Sequence, residues 1–455
     1  MKDMTVGSEA KHILIFSLPM LIGNVFQQMY NMTDSIIVGR FVGKEALASV
    51  GACFPVIFFM IAIIMGLSMG FTVVIGNFFG AKKIEEVKTT IDTTLISLFV
   101  ISIPVTILGL IFSKNILLLL KTPDEIIVEA KKYIDVIFYG TVFSVGYNTI
   151  GAILRGLGDS LTPLFFLIFS SILNVVLDIL FVTYFKMGVS GVAWATIISQ
   201  GVSFILGLIY MELSNHEVLR LRFVKMKFDF AIFLKSIRIG FPTAVQQILV
   251  SLGMIALSRI VNSFGTTTIA AYTAAGRLDS FALMPAMNFS MAISTFVAQN
   301  LGANKLDRVK RGVKSTIAFS SAIAITISIA FVVFSKELIT VFNKDSEVVS
   351  VGMQYLHIVS PFYLVFSLMF VFNGILRGAG DTLIPMFITL LSLWIVRIPI
   401  SAFLSMKIGT AGIWWGIPIA WLIGTGLDYL YYLSGRWKRN VLTKGSRYVS
   451  DEILG

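Results

Sequence analysis

The sequence predicts an all-α polytopic membrane protein of twelve transmembrane helices, arranged as two six-helix lobes related by a parallel pseudo-twofold repeat. Three observations carry that prediction. Hydrophobic residues make up 56% of the chain and charged residues only 13%, with 38 Phe and a mean hydropathy of +0.87, whereas a soluble globule uses about twice that charge. Apolar runs of helical membrane-crossing length, roughly 20 residues, alternate with short charged links; barrel strands would be about ten residues long and alternating. Finally, Ile153-Leu154-Arg155-Gly156-Leu157-Gly158-Asp159-Ser160-Leu161-Thr162-Pro163 returns as Ile375-Leu376-Arg377-Gly378-Ala379-Gly380-Asp381-Thr382-Leu383-Ile384-Pro385, eight of eleven positions identical at an offset of 222 residues. Gly80, Ala81, Lys83, Val87 and Lys88 recur at the same offset as Gly302, Ala303, Lys305, Val309 and Lys310, so half the chain is repeated.

Taken in order, the first half holds spans near 13–38, 46–79, 89–112, 126–152, 160–185 and 190–211. The second holds spans near 232–262, 267–300, 313–336, 347–376, 382–405 and 411–435. An even number of spans per half brings the second half in from the same side as the first, which makes the repeats parallel. The lobes are expected at residues 1–220 and 221–455, the second ending in a polar tail from Arg436. The opening stretch carries Lys2, Asp3, Glu9 and Lys11 and runs straight into a full span without a small-residue cleavage site, so no removable signal peptide is expected.

The net charge of +11 lies in the links. Of 36 Lys and Arg, 23 fall in links on the side of the N-terminus, ten on the other, and Arg259, Arg277 and Arg397 within spans. Both termini should therefore face the cytoplasm of a cell whose plasma membrane holds the chain. Nucleic acid binding would need a soluble domain or groove, and no such domain is present. One cysteine, Cys53, and three histidines leave no disulfide framework or zinc cluster. Gly156-Leu157-Gly158 lacks the strand and third glycine of a dinucleotide fingerprint, and no Walker lysine loop occurs. The repeated Gly-Asp turn is expected to end one helix and start the next. No nucleophile–base pair marks an enzyme.

Chemistry is sought where charge is expensive. An ionised side chain mid-span costs roughly 2.5 to 3.5 kcal/mol, and six acids lie in or at the edges of spans: Asp34, Asp92, Asp135, Asp178, Asp279 and Asp428. Asp92 and Asp428, near span ends, are expected to reach headgroups or a lysine. On span 1, Gln27, Tyr30, Asn31 and Asp34 fall on one helical face. On span 5, Asn174 and Asp178 are four residues apart and align in the same way. Two carboxylates brought close in low dielectric cannot both ionise cheaply, so one takes a proton or the pair binds a cation. At the repeat offset Asp34 falls on Ala256 and Asp178 on Ile400, so the second half lacks both acids. Arg277 and Asp279, two apart, cannot face each other on a helix, and Asp279 is expected to pair with Arg259 or Arg397.

The twelve spans in two sixes, Thr33-Asp34-Ser35-Ile36-Ile37-Val38-Gly39-Arg40 following Gln27 and Tyr30, the repeated Arg-Gly-x-Gly-Asp turn and Leu173-Asn174-Val175-Val176-Leu177-Asp178 resemble the multidrug and toxic compound extrusion family, in its DinF-like or MepA-like prokaryotic branch. The resemblance implies a cation-coupled antiporter that exports amphipathic, often cationic organic compounds by alternating access, as a monomer in the bilayer and without a cofactor beyond H+ or Na+. It implies that Asp34, Asn174, Asp178 and Thr196 form the ion or proton site, with Na+ held there if Na+ is the ion. It places Gln27, Tyr30, Tyr133 and Asn148 near that site or along the substrate cavity. The acid that another branch carries in its seventh span has no counterpart among Gln246 to Ala256. An alternative from the wider superfamily is a flippase for lipid-linked saccharides, to which Arg259, Arg277 and Arg397 would supply the cationic cavity.

Overall fold

The computed structural model describes residues 1–221 and 225–440. Arg222 of the charged link, and Lys444 and Arg447 of the tail, all counted above for orientation, lie outside the described residues. Among the described residues every regular element is helical, as a chain must be where lipid offers no partner to a backbone N–H or C=O.

Twelve spans result. The first six are span 1 (Glu9–Val42), span 2 (Lys44–Gly80), span 3 (Ile84–Leu119), span 4 (Asp124–Tyr139 with Thr141–Gly156), span 5 (Leu161–Tyr184) and span 6 (Gly188–Leu213). The second six are span 7 (Phe230–Asn262), span 8 (Thr266–Gly302), span 9 (Leu306–Val333), span 10 (Ser346–Gly378), span 11 (Leu383–Ile408) and span 12 (Thr410–Leu433). Span 4 bends by 51° at Gly140. A Cβ there would stand 2.3 Å from Ile197 Cγ1, so only glycine lets the bend pack on span 6. Spans 1, 5 and 11 each contain a π-helical stretch, Val38–Val42, Leu180–Tyr184 and Leu391–Arg397.

The repeat is visible in the backbone as well as in the sequence. Three pairs at the 222-residue offset share a left-handed φ: Gly43 and Gly265 (119° and 90°), Lys82 and Asn304 (57° and 56°), Gly158 and Gly380 (78° and 82°). In the last pair, Gly158 N–H donates to Arg155 O at 3.0 Å and Asp159 N–H to Leu154 O at 2.8 Å. The second copy repeats both bonds at 2.9 Å. This closes one helix with a glycine cap. Asp159 then starts the next, its Oδ1 accepting from Leu161 N at 3.1 Å and Thr162 N at 3.0 Å.

Two compact units form: Met1–Lys2 with Leu18–Arg238, and Asp3–Ser17 with the chain from Ile239 onward. The units follow packing, so the start of span 1 counts with the second unit. Met4 O accepts from Asn300 Nδ2 and from Arg308, and Glu9 pairs with Arg308 at 3.1 Å and Arg311 at 2.9 Å. The first core gathers Ile37, Cys53, Ile134, Phe138, Val189 and Ile197. The second gathers Leu257, Ala275, Tyr355, Tyr363 and Trp414. The link between the halves is strapped to span 3 within the first unit: Lys227 N–H donates to Asp92 Oδ2 at 3.2 Å, and Lys88 pairs with Glu217 at 2.6 Å. Asp92 is therefore buried under the link and does not reach headgroups. The link's own backbone donor makes that burial cheaper than exposure to hydrocarbon.

Candidate functional site

In the first unit the polar faces of spans 1, 5 and 6 meet. Tyr30 OH and Thr196 Oγ1 share a hydrogen bond of 3.3 Å, and Asn174 Nδ2 donates to the same Thr196 oxygen at 3.4 Å. Asp34 and Asp178 stand close enough for each carboxyl to act on the other. Tyr30 on span 1 and Tyr133 on span 4 stand close enough to feel both charges. The structure thus brings together Asp34, Asn174, Asp178, Thr196, Tyr30 and Tyr133. Asp34 lies one turn before the π-helical end of span 1, and Asp178 directly before that of span 5; such bulges collect at functional positions.

What distinguishes this cluster is the donors it lacks. Asp178 is fully buried, and neither of its oxygens meets a hydrogen-bond donor. The same holds for Asp34 Oδ1 and for Asn174 Oδ1. Four oxygens from three side chains are left unmet, each such loss costing about 1–3 kcal/mol. Two carboxyls this close in low dielectric cannot both ionise cheaply, and oxygens so arranged can take a proton on one carboxyl or a small hard cation.

Gln27 and Asn148 are placed differently. Gln27 Nε2 donates to Asn31 Oδ1 at 3.4 Å, and Asn31 to Gln28 Oε1 at 3.4 Å. Asn31 and Ser35 are exposed along that face of span 1; an exposed polar stripe on a membrane helix belongs to a face that meets water. Asn148 donates to Ser144 O of its own helix at 2.8 Å, and among the described residues no side-chain bond joins it to the carboxyl pair. A cavity of about 310 Å³ between spans 2, 3 and 4 lies away from these acids and is lined chiefly by hydrocarbon, including Phe59, Met60, Leu98, Leu108 and Phe138.

The second unit meets its buried acid Asp279 in another way. Asp279 on span 8 does not pair with Arg259 or Arg397. Tyr363 OH donates to Asp279 Oδ1 at 2.5 Å and Tyr355 OH to Oδ2, and no ion pair to either arginine forms among the described residues. The two phenols from span 10 occupy both oxygens, leaving Arg397 near enough to act only through its field. Sequence spacing missed these tyrosines, although Tyr355 stands 222 residues beyond Tyr133. Asp428 likewise departs from the interfacial position expected of it. It is fully buried and accepts from Asn373 Nδ2 at 2.6 Å, because neighbouring spans cover the last turns of span 12.

A family model described as MatE matches residues 19–180 and 242–403. The probable multidrug resistance protein YpnP of Bacillus subtilis is 33% identical over 96% of this chain and 97% of its own. The probable multidrug resistance protein NorM of Thermotoga maritima is 29% identical over 95% and 94%. A solved structure described as the outward-facing conformation of a multidrug resistance MATE family transporter shares the fold, with a TM-score of 0.89 at 23% identity over 97% of this chain and 99% of its own.

Proposed function

The chain belongs to the MatE family of membrane transporters, and we propose that it is a multidrug exporter of the plasma membrane that exchanges amphipathic organic cations for H+ or Na+. The observation that carries this reading is the pair Asp34 and Asp178, brought together in the first unit with four unmet oxygens in and beside it. The printed names of its relatives, multidrug resistance proteins, supply the cargo class.

The mechanism follows from charge. With both carboxyls ionised, the pair attracts an organic cation; with a proton or Na+ bound, that attraction is cancelled and the cation leaves. Thr196 positions the site: it receives Asn174 Nδ2, which turns the amide oxygen free, and it holds Tyr30 on span 1. Occupancy of Asp34 is thereby tied to the course of span 1, in which Pro19 and Gly23 permit bending. Alternating access then lets the ion enter from outside and leave to the cytoplasm, where both termini lie. One charge moving through 100 mV supplies about 2.3 kcal/mol and one pH unit about 1.36 kcal/mol, enough for gradients of tens-fold.

Transport of a labelled organic cation into inside-out vesicles, driven separately by a pH and a Na+ gradient, tests the reading. One of the two gradients should drive accumulation. Accumulation under neither, in vesicles shown to be sealed, would refute cation-coupled export.

A further inference from the structure

We propose that Asp428, on span 12, is a second proton-binding carboxyl of this chain, set in a buried site completed by Gln246 of span 7, Asn373 of span 10 and Thr389 of span 11. The proposal stands on the second unit alone and does not depend on the coupling role given to Asp34 and Asp178.

Asp428 is fully buried, and its two oxygens differ. Oδ2 accepts from Asn373 Nδ2 at 2.6 Å, while Oδ1 meets no donor. Asn373 is locked in that orientation: Nδ2 also donates to Met369 O at 3.0 Å, and Oδ1 accepts from Gln246 Nε2 at 3.2 Å. Gln246 in turn donates to Thr389 Oγ1 at 2.6 Å. Three spans therefore cooperate to aim one amide N–H at Asp428, through three side chains that carry no charge.

The charged and titratable groups around Asp428 are few. Arg377 of span 10 is near, but it donates to Asn373 O at 3.3 Å and to Ser290 Oγ at 3.1 Å, and it forms no ion pair with Asp428 among the described residues. Tyr431, on the same span, is committed to Asp381 Oδ2 at 2.5 Å. Spans 7 and 11 face the site with Gln246 and Thr389, neither of which titrates. A carboxylate with one neutral donor and no ion pair lacks what ionisation at this depth requires. A proton on Oδ1 supplies both the missing hydrogen and the missing charge, and its loss leaves COO− beside Arg377.

The location gives the site a direction. Spans 7, 10, 11 and 12 build it, and they correspond in the repeat to spans 1, 4, 5 and 6, which build the first cluster. The depth differs: Asp34 corresponds to Ala256, whereas Gln246 lies ten residues earlier on span 7, about 15 Å by the helical rise. The second site therefore lies nearer the side on which spans 1 and 7 begin.

The test uses the purified full chain in lipid nanodiscs. Infrared difference spectra across a pH titration should show a protonated-carboxyl band that survives in the Asp34→Asn, Asp178→Asn double variant and disappears in Asp428→Asn. Asp428→Glu should keep the band at a shifted frequency, and Asn373→Ala should displace its titration by a measurable pH interval, so the assignment does not hang on one variant's folding. Persistence of that band when Asp428→Asn is added to the Asp34→Asn, Asp178→Asn double variant, in protein whose melting transition is intact, would overturn the proposal. So would its absence from the double variant at every pH.

Discussion

The two halves share one backbone plan and place opposite chemistry on it. In the first, Asp34 and Asp178 face each other with oxygens that no donor reaches. In the second, the acid Asp279 is saturated by Tyr355 and Tyr363. Tyr133 and Tyr355 occupy equivalent positions in the repeat, yet one stands beside a pair of acids and the other is spent on a single one. An unmet acid pair can take and release a positive ion; an acid gripped by two phenols is held in place. Duplication preserved the scaffold, while the acids Asp34 and Asp178 stand at positions that the repeat does not match.

The largest effect that could break this comparison comes from the acids themselves. Asp178→Asn and Asp34→Asn should each lower gradient-driven export by about tenfold or more, equivalent to about 1.4 kcal/mol, whereas Asp279→Asn should leave the driving gradient effective. Vesicle uptake measures all three, and loss of coupling in Asp279→Asn alone would reverse the roles of the halves.

Packing sharpens the comparison next. A Cβ at Gly378 would lie 2.3 Å from Ser294 O, and one at Gly156 2.9 Å from Thr72 O. Overpacking costs about 1–3 kcal/mol, so Gly378→Ala should lower the melting temperature in detergent more than Gly156→Ala does. Gly276→Ala, with nothing within 4 Å of the new atom, should leave it nearly unchanged.

Tyr363→Phe should cost about 1–2 kcal/mol, read as a lower melting point, because Asp279 Oδ1 loses its donor. The smallest effect is expected from Thr196→Ala, which removes two long hydrogen bonds of 3.3 and 3.4 Å. A few-fold shift in the half-saturating concentration of the coupling ion, with stability held within about 0.5 kcal/mol, is the result to look for.

Much of this was legible in the sequence. Hydropathy located the twelve spans, and the Gly-Asp repeat located turns that recur with matching φ angles. Helical spacing put Asn174 with Asp178 and Tyr30 with Asp34. What spacing could not provide was contact between distant spans: Tyr355 and Tyr363 lie 76 and 84 residues from Asp279, so the charge rule suggested arginine where two phenols were nearer. Asp428 was misplaced for a related reason. Position within one helix says how far a residue is from that helix's end, and says nothing of the neighbours that cover it. Asp92 went the same way, buried by a link whose backbone amide no hydropathy pattern reveals.

The most direct test of the central claim is competition at the acid pair. Radiolabelled tetraphenylphosphonium bound to the purified protein should be displaced by lowering the pH or by adding Na+, and Asp178→Asn should abolish that displacement. Displacement in Asp178→Asn with the same ion dependence as in the wild type would contradict the account.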